Sequence, residues 1–155
     1  GRLRGGRRRF ADSVPGMIIR EFDGADADAV VALWREAELT RPWNDPYADI
    51  ERKLAVQPEL FLVADDGGTV IGSVMGGYDG HRGWLYYLAV AAQRRGEGIG
   101  RQLVTEVETR LRAMGCPKVQ LMVRPGNDAV FGFYDSLGFE RFEIGTTGKR
   151  LIADD

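Results

Sequence analysis

Residues 84–100, WLYYLAVAAQRRGEGIG, decide the reading of this chain: an apolar run passes abruptly into arginines and glycines, and an amphipathic segment begins among them. Leu85, Tyr86, Tyr87, Leu88, Ala89 and Val90 are too continuously apolar for a strand with one wet face, so they predict a buried central strand. Gly96, Gly98 and Gly100 then leave the backbone uncovered where a helix pattern starts. Several N–H groups can converge there on one oxyanion, at the positive end of a helix dipole. The junction reads as a phosphate cradle between a strand and a helix.

On its N-terminal side, residues 17–22 alternate apolar and polar as a half-buried strand should, and Asp23 or Asp26 can cap the next helical segment. Val30, Leu33, Trp34 and Ala37 form a helical stripe that Thr40-Arg41-Pro42 breaks. Asn44 or Asp45 can cap a second helix with Pro46 at its first position, Ile50 and Leu54 facing inward and Pro58 marking its end. Residues 60–64 and 70–75, joined by Asp66-Gly67-Gly68, predict a hairpin, and GGYDGHRG (76–83) loops into the central strand. On the C-terminal side, Ile99, Leu103, Val107 and Leu111 recur every four residues, widened by Val104 and Met114, until Gly115 and Pro117. A short buried strand over 119–123, a helix over 127–137 stopped by Gly138, and a last hairpin from 139–144 and 149–152 complete the order. The expectation is one α/β domain, a mixed twisted sheet of about seven strands flanked by about four helices.

With 155 residues, 44% of them hydrophobic, the chain can fill one core of ordinary size. The formal charge of −2 hides an asymmetry, because five arginines against Asp12 give residues 1–16 a net +4 and leave −6 for the rest. An acidic body argues against nucleic-acid partners, whose affinity comes from phosphate neutralisation. Residues 1–16 read as a disordered leader or added extension, with a basic arm as the competing reading, and 17–155 as the domain. The single cysteine, Cys116, excludes an internal disulfide and a multi-cysteine metal site and fits a reducing cytoplasm. No apolar run reaches membrane-spanning length, so no membrane partner is expected.

Three glycine-loop chemistries compete for the cradle. A nucleotide P-loop needs lysine and then serine or threonine after its last glycine, whereas Arg101-Gln102 follows Gly100. A dinucleotide fingerprint needs G-x-G-x-x-G, and the spacing here is G-x-G-x-G. The run Arg95-Gly96-Glu97-Gly98-Ile99-Gly100 does match the Q/R-x-x-G-x-G/A signature of the GNAT family of acyl-CoA-dependent N-acyltransferases, which the chain resembles. Leu88-Ala89-Val90, Asn127 and Phe133-Tyr134-Asp135-Ser136-Leu137-Gly138-Phe139 continue the likeness in order. WNDP, GGYDGHRG and GKRLI resemble a little-characterised bacterial branch of it.

The resemblance implies acetyl-CoA as cosubstrate, its pyrophosphate on residues 95–100, and its pantetheine against Leu88, Ala89 and Val90, where the central strand splays from the strand at 119–123. Asn127 would touch CoA or only cap its helix, and Arg94 or Arg101 could reach outer phosphates. Tyr134 matches the family's proton donor to the departing thiolate, with a core tyrosine as the bland alternative. No metal is implied. The partners are acetyl-CoA and an amine acceptor, and a homodimer is left open. Relatives that acetylate peptide N-termini carry glutamate where this chain has Met122, so Asp79, His81 and Glu21 stand as candidate bases. Trp43-Asn44-Asp45 and residues 78–81 would border the acceptor. The alternative function is a non-catalytic acyl-CoA-binding regulatory or interaction module.

Overall fold

Three glycines let a helix sit hard against a sheet, and that contact sets the geometry of the whole domain. The computed structural model describes residues 14–154. Strands β1 (Met17–Glu21), β2 (Phe61–Asp66), β3 (Thr69–Tyr78), β4 (Gly83–Val90) and β5 (Val119–Gln120) lie in the sheet in that order. The first four pair antiparallel and β4 with β5 parallel, across the connection made by helix α3 (Ile99–Ala113). On β3, a Cβ at Gly72 would lie 3.1 Å from Leu103 and one at Gly76 2.6 Å from Val107; on β4, one at Gly83 would meet Leu111 and Cys116 at 2.9 Å. Only glycine at these positions admits α3 this closely.

Helices α1 (Ala27–Glu36) and α2 (Pro46–Val56) belong to the other face, and α4 (Asp128–Ser136) follows β5. Strand β2 shows the two-sided burial that alternation requires. Phe61 and Val63 join Val30, Val31, Trp34 and Ile50 in the core on the α1 side, while Leu62 and Ala64 join Leu103, Val104 and Val107 in the core under α3. The stop signals fall where the sequence places them. Asp45 caps α2, its side chain accepting from Tyr47 N at 2.9 Å with Pro46 next, and left-handed glycines follow α3 at Gly115 and α4 at Gly138. Asp23 and Asp26 form a reciprocal capping box over the short turn before α1. Residues 1–13, most of the expected leader, lie outside the described residues, whereas Val14 is buried in the α3-side core.

Three expectations are corrected. The sheet has five strands among the described residues, not about seven: residues 139–152 form neither strand of the expected hairpin. Their apolar positions, Phe139, Phe142 and Ile144, do not keep a period of two, and Gly145 and Gly148 interrupt the run beyond them. Side chains tie this segment down instead, with Arg141 on Asp135 at 2.5 Å and over the Phe131 ring, and Lys118 over Phe142. Strand β4 is not buried on both faces, since Tyr86 is 42% exposed; the doubly buried stretches are 61–64 of β2 and 71–76 of β3. Leu54 likewise points outward, 37% exposed.

Gly76→Ala should lower stability by about 1–3 kcal/mol, the usual cost of overpacking, read as a reduced urea midpoint with an unchanged slope. A second expectation concerns acid. Asp26 accepts from Arg20 at 2.8 and 2.9 Å, and this pair, against an opposing burial effect, holds its carboxyl below the usual carboxylate range. A depressed folded-state value stabilises above the unfolded value and is lost as pH falls through the folded one. Asp26→Asn should therefore cost about 1.5–3 kcal/mol near neutrality and flatten the fall of Tm on acidification below the ordinary carboxylate range.

Candidate active site

A single extra residue reshapes β4. Ser73 pairs with Ala89 but Met75 with Tyr86, so Tyr87 and Leu88 together oppose Val74, and Tyr87 takes the left-handed φ of 52°. The bulge reverses the alternation: Leu85 packs under α3, Tyr87 and Ala89 pack on the α1 side, and Leu88 and Val90 return to the α3 side. Buried partners fix it. The Tyr87 ring stacks on Trp34 at 3.8 Å, Trp34 Nε1 donates to Ser73 Oγ at 2.9 Å, and Ser73 Oγ donates to the Tyr87 carbonyl at 3.3 Å.

Beyond Gly83 and Trp84, which pair with Val119 and Gln120, the β4–β5 ladder stops. Leu88, Ala89 and Val90 therefore have no partner on β5, whose continuation holds Leu121 and Val123 against the core and leaves Met122 58% exposed. The chain leaves β4 into the glycine turn. Gly96 and Gly98 each have φ of 82° with open space where a Cβ would stand, so glycine is required there by conformation alone. Gly100 is different: a Cβ would lie 3.3 Å from the Phe133 ring of α4 and 3.8 Å from Val90.

Among the described residues no side chain caps α3, and its first intrahelical hydrogen bond runs from Gln102 N to the Gly98 carbonyl at 3.1 Å. The N–H groups of Ile99, Gly100 and Arg101 thus lie ahead of the helical ladder, at the positive dipole end. Arg95 and Arg101 are exposed and make no ion pair with any described residue. Arg94 differs, being held by Asp66 at 2.7 Å and Glu97 at 2.9 Å, so it braces the turn instead of pointing at a ligand. Ala92 N donates to Glu36 Oε1 at 2.8 Å and ties the turn to α1.

Tyr134 is 7% exposed, with its ring edge-on to Phe133 and Phe139. Its hydroxyl has no hydrogen-bond partner among the described residues, and burial pushes the phenol up to about 12. It lines a cleft of about 1160 Å³ beside β5, together with Trp84, Met122 and Phe142. Asn127 caps α4, its side chain accepting from Val130 N at 3.4 Å. The glycine turn, the edge of β4 and α4 thus meet at Val90, Gly100 and Phe133, one residue from Tyr134, whereas the exposed Asn127 bonds to Val130, Arg124 and Phe131 and not to the turn.

The candidate bases fare differently. Asp79 accepts from Arg82 N, His81 N and Trp84 Nε1, which together hold its carboxyl down to about 2 and make it the organiser of its loop. His81 is exposed in that same loop, and Glu21 lies on β1, at the far edge of the sheet, beside Arg110. Sequence reasoning missed a carboxylate that does approach β4. Asp49 of α2 accepts from Tyr87 Oη at 2.6 Å and from Asn44 Nδ2, and Asn44 Nδ2 also donates to Tyr87 Oη at 3.1 Å. Burial, then Asp49, pushes the Tyr87 phenol upward, so it stays a donor.

The sequence pattern of the Acetyltransferase (GNAT) family matches residues 28–139. An acetyltransferase of Pectobacterium atrosepticum is 55% identical over 138 residues, 89% of this chain and 98% of its own length. Among solved structures, Ard1 from Thermoplasma volcanium aligns with a TM-score of 0.69 at 27% identity, over 81% of this chain and 83% of that one. AAC(6')-Iy, solved in complex with the bisubstrate analogue CoA-S-monomethyl-acetylneamine, shares the fold with a TM-score of 0.72 at 20% identity, over 88% and 99%. A family match across most of the chain, with a relative identical at more than half of the aligned positions, places it in the GNAT family as an N-acetyltransferase.

Proposed function

We propose that the chain transfers the acetyl group of acetyl-CoA to the amine of a small molecule or peptide. The observation that carries this reading is the uncapped start of α3, fed by two left-handed glycines, at the end of a strand whose β5-side edge is unpaired. Backbone N–H groups of Arg95, Gly96, Glu97, Gly98, Ile99 and Gly100 hold the pyrophosphate, which suits the open space at Gly96 and Gly98. The free edge at Leu88, Ala89 and Val90 pairs with pantetheine amides, and the Val90 N–H steadies the oxygen on which negative charge develops. Asn127 keeps its oxygen on the α4 cap and offers its amide N–H groups to CoA.

Bound acetyl-CoA supplies an activated acyl group on a thiol leaving group. Tyr134 retains its proton at neutral pH, because burial raises its phenol, and donates a hydrogen bond to the departing sulfur. The hydroxyl's lack of any other partner among the described residues supports that role. Met122, in place of a strand glutamate, favours the second reading of a module that binds acyl-CoA without turnover.

Calorimetry with acetyl-CoA, followed by thiol release with a panel of amines, peptides and aminoglycosides, separates the two. Binding with acceptor-dependent thiol release is expected; binding without it supports the module, and no binding to folded protein removes both. Tyr134→Phe should lower kcat about 100-fold, within the usual range for a lost general acid, with acetyl-CoA affinity within about twofold. An unchanged kcat would make Tyr134 a packing residue.

A further inference from the structure

The glycine turn contains one carboxylate, and it stands where the donor's phosphates are proposed to bind. Residues 94–101, RRGEGIGR, set three arginines against Glu97. Glu97 lies between Gly96 and Gly98, both left-handed at φ 82°, and glycines on either side restrict its direction least of any neighbours. An unrestrained carboxylate at that point repels a phosphate group arriving on the same backbone.

Arg94 takes that freedom away. It ends the short turn Ala92–Arg94, is half-buried, and its Nε donates to both Glu97 oxygens, at 2.9 and 3.2 Å. Nη1 of the same guanidinium donates to Asp66 Oδ2 at 2.7 Å. Asp66 ends β2 and pairs in the sheet with Met17 on one side and Thr69 on the other, so the guanidinium is fastened to the sheet and not to the turn alone. Among the described residues Glu97 has no other side-chain partner, and its place is set by Arg94. Arg94 therefore spends its charge inside the protein, whereas Arg95 and Arg101 pair with no described carboxylate.

From this we infer that Arg94 is a positioning residue for the donor's phosphates that acts through Glu97: it cancels the charge of the one carboxylate inside the phosphate-binding turn and holds it toward the end of β2, without touching the ligand. The inference rests on the acetyl-CoA reading above and adds to it a residue outside the backbone cradle.

The test is calorimetry of acetyl-CoA, and of acetyl-dephospho-CoA lacking the 3′-phosphate, against the wild type, Arg94→Gln, Glu97→Gln and the double variant. Arg94→Gln should bind both ligands about five- to tenfold more weakly, the effect of one uncompensated carboxylate near a phosphate group, and by the same factor for each. The gap should shrink as salt is raised. Glu97→Gln should bind at least as tightly as the wild type, and the double variant should return to within about twofold of it, a rescue that the loss of a merely structural brace does not allow. Arg94→Lys, which keeps the charge but not the fork that reaches two carboxylates, should recover part of the loss. Equal binding to wild type and Arg94→Gln, or a loss that Glu97→Gln does not relieve, overturns the assignment. A loss larger for acetyl-CoA than for its dephospho form also overturns it, by showing a direct contact from Arg94 to the outer phosphate. Each of those results leaves the donor reading standing, whereas no binding of acetyl-CoA to the folded wild type sinks both.

Discussion

The structure depends on one residue held in a conformation its side chain resists. An aromatic residue at φ 52° costs on the order of 1–2 kcal/mol, and it persists only where its surroundings over-determine it. They do so here through Ser73, which accepts from the buried Trp34 indole and donates to the Tyr87 carbonyl, while Trp34 stacks on the Tyr87 ring. Trp34 and Ser73 are fully buried, so a lost partner would leave a polar group without water to replace it. A regular β4 would exchange the faces of Leu88 and Ala89 and carry Tyr87 away from α2.

Much of the architecture was legible because its signals are local. Asp45-Pro46, Gly115 and Gly138 act on the backbone within a turn of where they stand, and the four-residue spacing from Ile99 to Leu111 is a property of one helix. Burial of a strand is different. Residues 85–90 have the composition of a doubly covered strand, yet coverage depends on how far β5 accompanies them, and β5 pairs for only two residues. The hairpin expected over 139–152 failed for a related reason, since Arg141 and Arg150 find side-chain partners at Asp135 and Asn44 instead of a strand to extend.

The same division runs through the candidate site. The glycine turn proposed to hold the donor's phosphates is contiguous, with its glycines, helix start and flanking arginines in one short run, so sequence alone exposes it. The Asp49–Tyr87 contact joins residues 38 positions apart, and the bulge that makes it possible leaves no glycine to announce the left-handed residue. Asp49 stands in the first turn of α2, where an acid is ordinary and announces nothing. Asp79 was misleading for the opposite reason: an aspartate two and three residues before His81 and Arg82 caps its own loop, and that chemistry was local enough to weigh against a base.

The reversal at Tyr87 bears directly on which edge of β4 is left for a donor. In a regular strand, neighbouring residues face opposite sides in fixed alternation, and the backbone edge is committed to its ladder on both flanks. Here the flank toward β5 is free beyond Trp84, and the bulge turns Tyr87 toward α2 immediately before Leu88 turns toward α3. On the proposed reading, the donor lies along that free edge with its phosphates at α3. A tyrosine at the bulge holds this strand better than a glycine could: glycine would relieve the torsion, but it would lose the stack on Trp34 and the hydroxyl bond that ties β4 to Asp49 of α2.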